Sequence, residues 1–584
     1  MSEGLRGAAQ GAGIIRSGLS AAVLGPKEIY AFFAHGTRYH FLRYPVILVA
    51  VVQLYHVLKA ALTQGVIAGV LGLVIMAISV GVGTLIANLV EKLGWWFAWY
   101  PGLGYRLKDG TFKPMLGGAT LGKPAKADSR PTPPFVLPEG MGAAKAGERH
   151  VRGAALVDGD WLASQLTQDI DPSTLDKLMR FGGVPIRYKA EAQHFLIGGS
   201  TGAGKTQAIN SMLLVMRKRM QPAIIADPGA GFYSTFGRRG EKLLNPLDKR
   251  SIGWSVFRDI RAPYDCQMIA KAVIPDIEGE GNEWNGYGQT MFAAILQKLW
   301  ETDEHSTHRL LYLMNVAPAK ELESILANTP AYQLTQKGGE KMLNNVRFIV
   351  NNKLTAWAYL PDKGTFSIRD WVRQAETTKD FLFLTYRDDQ MPILRNLVAC
   401  WLDLAIVEGL TLSINPERRL WYVMDEVDSL GKVSNLRAAL TKLRKYGGVC
   451  VAGLQSISQL RTTYGRDEAQ TLLSNMSHKV VFRTGDNETA KYFESEIGEQ
   501  EVIRPESSSS TSTRVGELAS NSQNSSERTV QQMAVLASEI MFLNDMHGFL
   551  KTIGFPIARI LTSYAAGPEN NQDFDDVYKT GGQA

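Results

Sequence analysis

Apolar residues form two long runs near the N-terminus, then short, regularly spaced runs from about residue 151 onward. Val66 to Val90 is 25 residues without a charge, about 37 Å as an α-helix against a hydrocarbon core of roughly 30 Å. Pro45 to Leu62 is a second run, interrupted by His56 and by Lys59, which lies near its end and can snorkel to the interface. Thr63-Gln-Gly65 turns tightly between them. The pattern predicts a transmembrane hairpin over 44–92, with helices at about 45–62 and 66–90, after a cytoplasmic N-terminal segment at 1–43. Arg6, Arg16, Lys27, Arg38 and Arg43 precede it; Lys92, Arg106, Lys108 and Lys113 follow, with Trp95, Trp96, Trp99 and Tyr100 as an aromatic belt. Basic residues on both flanks place both ends in the cytoplasm. The apolar segment starts too late for a cleaved signal peptide.

Residues 93–150 read as a juxtamembrane segment and linker, rich in Gly, Pro, Ala and Lys (Lys123-Pro-Ala-Lys126, Arg130-Pro-Thr-Pro-Pro134). Beyond them strands and helices alternate. Strand candidates are Ala192–Gly198, Pro222–Asp227, Phe381–Tyr386, Leu420–Asp425, Val449–Leu454 and Lys479–Arg483. Several are continuously apolar, as parallel strands buried on both faces are. The expected fold is α/β, a RecA-like P-loop ATPase core built from 151–257 and 365–567. Between them, 258–364 reads as an inserted all-α domain: Trp284 to Trp300, Glu321 to Ala327 and Lys341 to Leu360 carry apolar residues at helical spacing. The tract Glu506 to Arg528, with Ser507-Ser-Ser-Ser510 and Asn521-Ser-Gln-Asn-Ser-Ser526, predicts a mobile loop within the domain. A polar C-terminal tail at 568–584 is expected to fray.

Composition adds little. Apolar content of 45% with 21% charged residues suits a large folded core, and a net charge of +6 permits nucleic-acid contact without arguing for it. Three cysteines, Cys266, Cys400 and Cys450, with no CxxC spacing, indicate neither a disulfide framework nor a zinc site.

The chemistry begins where an apolar strand, His194 to Gly198, runs into Gly199-Ser200-Thr201-Gly202-Ala203-Gly204-Lys205-Thr206. Gly199 and Gly204 allow turns that a Cβ would block, so successive N–H groups converge on phosphate oxygens. Lys205 brings a compact positive charge to the β- and γ-phosphates of ATP, and the Thr206 hydroxyl would ligate Mg²⁺. Gln207 to Met216 can continue as a helix whose N-terminal dipole adds to the anion site.

Leu420-Trp-Tyr-Val-Met-Asp425-Glu426 is an apolar strand ending in two acids. Such a pair can be a solvated turn; beside a phosphate loop, Asp425 takes the Mg²⁺ role and Glu426 that of the base for the attacking water. Gln455, after the next strand, can touch the γ-phosphate or merely cap a helix. The charge run from Ser434 to Tyr446, with Arg437, Lys442, Arg444 and Lys445, reads first as a solvated helix face. In a ring it could supply an arginine finger or line a DNA pore.

In combination these motifs resemble the type IV secretion coupling proteins, the TraD/TraG group of conjugation ATPases. Besides the hairpin and the phosphate loop, the likeness is carried by Asn245-Pro-Leu-Asp-Lys-Arg-Ser-Ile-Gly-Trp254, Trp421-Tyr-Val-Met-Asp-Glu426 and Gly453-Leu-Gln-Ser-Ile-Ser-Gln459. Ala537-Ser-Glu-Ile-Met541 and Gly554-Phe-Pro-Ile-Ala558 complete it. The resemblance implies a hexameric, multi-pass motor of the bacterial inner membrane, with the bulk of the chain in the cytoplasm. It would use ATP and Mg²⁺ to pass relaxase-bound DNA, without sequence preference, to a type IV secretion channel. It also implies Gln455 as γ-phosphate sensor, Arg444 as a finger acting in trans, and the inserted helices as the cargo-facing domain. Relatives often carry Asp-Pro-Lys-Gly-Glu where this chain has Asp227-Pro-Gly-Ala-Gly-Phe-Tyr233, so no role for that Lys and Glu carries over. Two other readings share the ATPase: an FtsK-like chromosome translocase, and an ATP-switched receptor for protein substrates.

Overall fold

The computed structural model of the protein describes residues 137–578, less 139–140, 169, 278, 280, 513–519, 566 and 568–569, and two short strands at 104–106 and 112–114. The expected hairpin at 44–92 lies outside the described residues. Among the described residues no helix is long and apolar enough to cross a membrane. The chain divides into two compact units, Met1–Pro133 and Pro134–Ala584. In the first, Gly104–Arg106 pairs antiparallel with Phe112–Pro114, within the stretch expected to be linker.

The second unit is organised by a ten-stranded sheet. In chain order its strands are β1 (Leu156–Asp158), β2 (Phe195–Gly198), β3 (Ala223–Pro228), β4 (Lys242–Leu244), β5 (Phe381–Tyr386), β6 (Leu420–Met424), β7 (Gly448–Leu454), β8 (His478–Val481), β9 (His547–Lys551) and β10 (Ile557–Leu561). Across the sheet they run β1-β10-β9-β8-β2-β7-β6-β3-β5-β4. From β8 to β4 every pairing is parallel; β9 is antiparallel to both of its neighbours.

Both faces are buried, which is why the strands read as unbroken apolar runs. Trp421 and Val423 of β6 join one core with Phe195, Ile197, Ile225, Val449 and Val451. Tyr422 and Met424 point the other way, with Leu196, Ile224, Cys450 and Leu454. β2 starts later than Ala192, because a helical turn at Tyr188–Glu191 precedes it and His194 adopts a left-handed φ of 63°.

No described strand lies between β4 and β5. That interval holds α1 (Pro263–Val273), α2 (Asn282–Glu301), α3 (Thr307–Asn315), α4 (Ala319–Leu326) and α5 (Glu340–Leu354), and α5 gives way to a 3-10 turn at Thr355–Tyr359. The helices meet the core at α6 (Met391–Gly409). Trp254 packs edge-on to Trp357 and to Trp401 of α6. Where the chain enters and leaves the interval, Arg261 and Arg369 both reach Glu408 of α6, at 2.8 and 2.7 Å, and Arg373 joins them.

Two expectations are corrected. The polar tract is largely strand: Glu499–Ser512 pairs antiparallel with Ser520–Met533, and its root pairs with Arg149–Gly153. At that root Val502 is fully buried and Glu148 receives Arg504 and Gln532. The tail, expected to fray, is docked over 570–578. Asn570 N–H donates to Ser234, Lys249 N–H to Asp575 and Val577 N–H to Leu247, and Arg387 pairs with Asp576 at 3.1 Å. Phe574 against Arg387 and Tyr578 edge-on to Tyr359 add to these polar contacts, and such isolated contacts leave no hydropathy period.

Candidate functional site

The loop Gly199 to Thr206 leaves β2 at the carboxyl edge of the sheet, where open α/β folds place their ligands. Gly202 and Gly204 take φ of 77° and 128°, conformations that a side chain resists. The loop is tethered at its base: Gly199 N–H donates to Leu454, and Ser200 donates to the Arg483 carbonyl through both its N–H (2.7 Å) and its hydroxyl (3.0 Å). Lys205 opens the helix Lys205–Lys218, and its ammonium donates to the carbonyls of Gly199 (2.7 Å) and Ser200 (3.3 Å). Burial holds the Lys205 pKa below the usual lysine range, with Asp425, Glu426 and Asp428 opposing that shift.

The next two strands across the sheet, β7 and β6, deliver the remaining groups from their carboxyl ends. Asp425 follows β6, nearly buried, with Oδ1 lacking any protein partner while the Thr206 hydroxyl sits against the carboxylate. Burial raises the Asp425 pKa to about 6; Lys205 counteracts this, and Glu426 and Asp428 add to it. Glu426 is half-buried and its pKa is also raised, by burial first and then by Asp428. Gln455, just past β7, donates its amide N–H to Glu426 and accepts from the Thr201 hydroxyl at 3.4 Å.

These residues line an open cleft together with Gln207, Met546 and Tyr564. Gly199 lies at its base rather than its wall. Ala203 is buried, and its carbonyl accepts from Met546 N–H at 2.9 Å. Asp227, on β3 beside β6, holds the start of the helix Gly231–Phe236 by accepting from Phe232 N–H (3.1 Å) and Tyr233 N–H (2.7 Å). Its carboxyl is fully buried, which pushes the pKa to about 8.

Arg444 is not brought to this cleft. It lies exposed on the 3-10 turn Leu443–Tyr446 that feeds β7, at the edge where β6 and β7 begin. The seven residues of β7 put it about 20 Å from the cleft of its own chain.

Asp428, Met546 and Tyr564 escaped the sequence reading. Asp428 stands two residues past Glu426, and its Oδ2 accepts from the N–H groups of Gln455 (3.3 Å) and Ser456 (3.1 Å), fixing where β7 ends. Its spacing was visible in Asp-Glu-Val-Asp. Met546 and Tyr564 left no local signal, because β9 and β10 bring them back across more than three hundred residues of chain.

The donor set fits a nucleotide with a hard cation. An octahedral Mg²⁺ needs only one or two protein oxygens besides phosphate and water, and Thr206 with the unpartnered Asp425 Oδ1 supplies them. Residues 178–563 match the model of the type IV secretion-system coupling protein DNA-binding domain. The chain belongs to the type IV secretion coupling proteins. The matched span contains the phosphate loop, the acidic pair, Gln455 and Met546, and stops one residue short of Tyr564.

Among solved coupling proteins, the unbound conjugative coupling protein TrwBdeltaN70 superimposes with a TM-score of 0.67 at 32% identity, covering 75% of this chain and 98% of that one. TrwB in complex with the ATP analogue ADPNP gives 0.65 at the same identity, covering 75% of this chain and 99% of that one. TraD, a coupling protein of Escherichia coli K12, is 28% identical over 408 residues, 68% of this chain. The match spans 56% of TraD's own length. The coupling-protein fold here is therefore a P-loop α/β ATPase core.

Proposed function

We propose that this coupling protein is a membrane-anchored ATPase that passes relaxase-bound DNA to a type IV secretion channel, driven by ATP hydrolysis during conjugation. The observation that carries it is the convergence of Lys205, Thr206, Asp425, Glu426 and Gln455 from three adjacent strands on one cleft. TrwB, which shares the fold, has been solved with ADPNP and with ADP and Mg²⁺.

In this reading the loop N–H groups and Lys205 bind the β- and γ-phosphates, exchanging the Gly199 and Ser200 carbonyls for phosphate oxygens. Thr206 and Asp425 would hold Mg²⁺, which would supply charge neutralisation for the triphosphate. Glu426 takes the proton of the attacking water, and burial raises its pKa, which favours proton uptake there. Gln455 spans Glu426 and Thr201 and so senses the γ-phosphate. Arg444, remote from its own cleft, serves as a finger for a neighbouring subunit of a hexamer. The helices of 258–364 face the cargo, the core comprises 151–257 and 365–567, and the uncharged stretch 66–90 with its partner at 45–62 anchors the chain in the inner membrane. With no base-reading module in the sequence, DNA contact is independent of base sequence.

The test is phosphate release by the detergent-extracted full chain. Lys205→Ala should abolish ATP binding and turnover; a variant that binds and hydrolyses ATP as wild type does would refute the assignment.

A further inference from the structure

Gln207, Met546 and Tyr564 close the side of the cleft away from Glu426, and they are stitched to the phosphate loop. Met546 N–H donates to Ala203, Thr562 N–H to Met546 and Ala565 N–H to the Gln207 side chain, each at 2.9 Å. Met546 is held in the left-handed region at φ 67°, a strain that surrounding contacts must impose. Tyr564 stands between two of those tethers, yet the residue is 77% exposed while it lines the cleft. A fixed backbone thus presents an uncovered aromatic ring at the mouth of an anion site.

The direction of a bound triphosphate follows from the chemistry around it. The attacking water must sit by Glu426 and Gln455, so the γ-phosphate points there. The α-phosphate and nucleoside then leave past Thr206 and Gln207, toward the tethered strap. Resting on the nucleotide reading of the cleft, we propose that Tyr564 is the base platform of this site, stacking on the nucleobase of the bound triphosphate. Every base offers a π-face, so such a platform strengthens binding without choosing among bases. Met546, soft and unbranched, suits a wall that adapts to whichever base is present.

The experiment is calorimetric titration of the full chain in detergent, with Mg²⁺, against three probes: a non-hydrolysable ATP analogue, its GTP counterpart and inorganic tripolyphosphate. Tyr564→Ala should weaken both nucleotides about tenfold, equivalent to about 1.4 kcal/mol, and leave tripolyphosphate unchanged. Tyr564→Phe should bind all three as wild type does. Unchanged nucleotide affinity in Tyr564→Ala overturns the platform, as does an equal loss for tripolyphosphate, which would mean a disturbed loop. If wild type binds no probe, or Lys205→Ala binds all of them normally, the nucleotide reading itself fails and the platform with it.

Discussion

Gly453 is the position where one added carbon should separate binding from hydrolysis. It lies on β7 directly beside Asp425, and a Cβ there would sit 1.9 Å from the Asp425 carbonyl oxygen and 2.7 Å from its carbonyl carbon. Ordinary contact begins near 3.4 Å, so in Gly453→Ala the end of β6 must retreat by about 1.5 Å. Neither partner is a flexible side chain; both are backbone in a buried sheet. Overpacking of this kind costs about 1–3 kcal/mol of stability. A displacement near 1 Å at reacting groups costs roughly 10²-fold in rate. The phosphate loop stands on β2 and is held on its far side by Ser200, which donates twice to Arg483, so nucleotide affinity should change much less than turnover. Turnover should fall about a hundredfold at temperatures where circular dichroism shows the variant folded. Gly286→Ala is the control: no atom lies within 4 Å of its Cβ, and it sits inside α2, where alanine should stabilise by about 0.5–1 kcal/mol. Gly453→Ala hydrolysing ATP within twofold of wild type, while folded, would refute the reasoning.

Further tests address the frame around the site. Glu408→Ala removes the carboxylate shared by Arg261, Arg369 and Arg373, although buried Arg369 keeps Asp265 and Arg261 keeps Asp370, each at 2.8 Å; chemical denaturation should show a loss of about 1–3 kcal/mol, and no measurable loss would contradict the clamp. Asp403 accepts from Asn435 through its N–H (2.6 Å) and side chain (2.8 Å), and burial raises its pKa from 3.8 to about 6. Its contribution is therefore fully present below pH 3.8 and lost as pH rises through about 6, roughly 2–4 kcal/mol across that window. Asp403→Asn should flatten that decline in a stability-versus-pH series, and an unchanged slope would count against it. Arg444→Ala subunits mixed with wild type should depress the turnover of their neighbours; strict additivity of the two rates would remove the finger.

The phosphate loop and the acidic pair were legible because each is a local string whose spacing performs its own chemistry. The central strands were legible because burial on both faces makes them almost wholly apolar, with polar residues such as Asp227 and Thr385 only near their ends. The hairpin Glu499–Ser512 with Ser520–Met533 was not, since its outer strands carry Ser, Asn and Gln without an apolar face and are held by backbone bonds. Docking of 570–578 rests on hydrogen bonds and ion pairs to Ser234, Lys249 and Arg387 and on single ring contacts of Phe574 and Tyr578, which leave no periodicity. Tyr564 and Met546 reach the cleft through sheet order, with β9 and β10 added beside β8, and no local pattern records that.

Hydrolysis coupled to DNA is the central claim, and Glu426→Gln tests it most directly. Phosphate release and ATP binding should be measured on the same full-length protein in lipid, with and without DNA. The account predicts DNA-stimulated turnover in wild type, and in Glu426→Gln a loss of roughly 10²–10⁴-fold with ATP binding retained. Turnover in Glu426→Gln equal to wild type, or a wild-type rate indifferent to DNA, would contradict it.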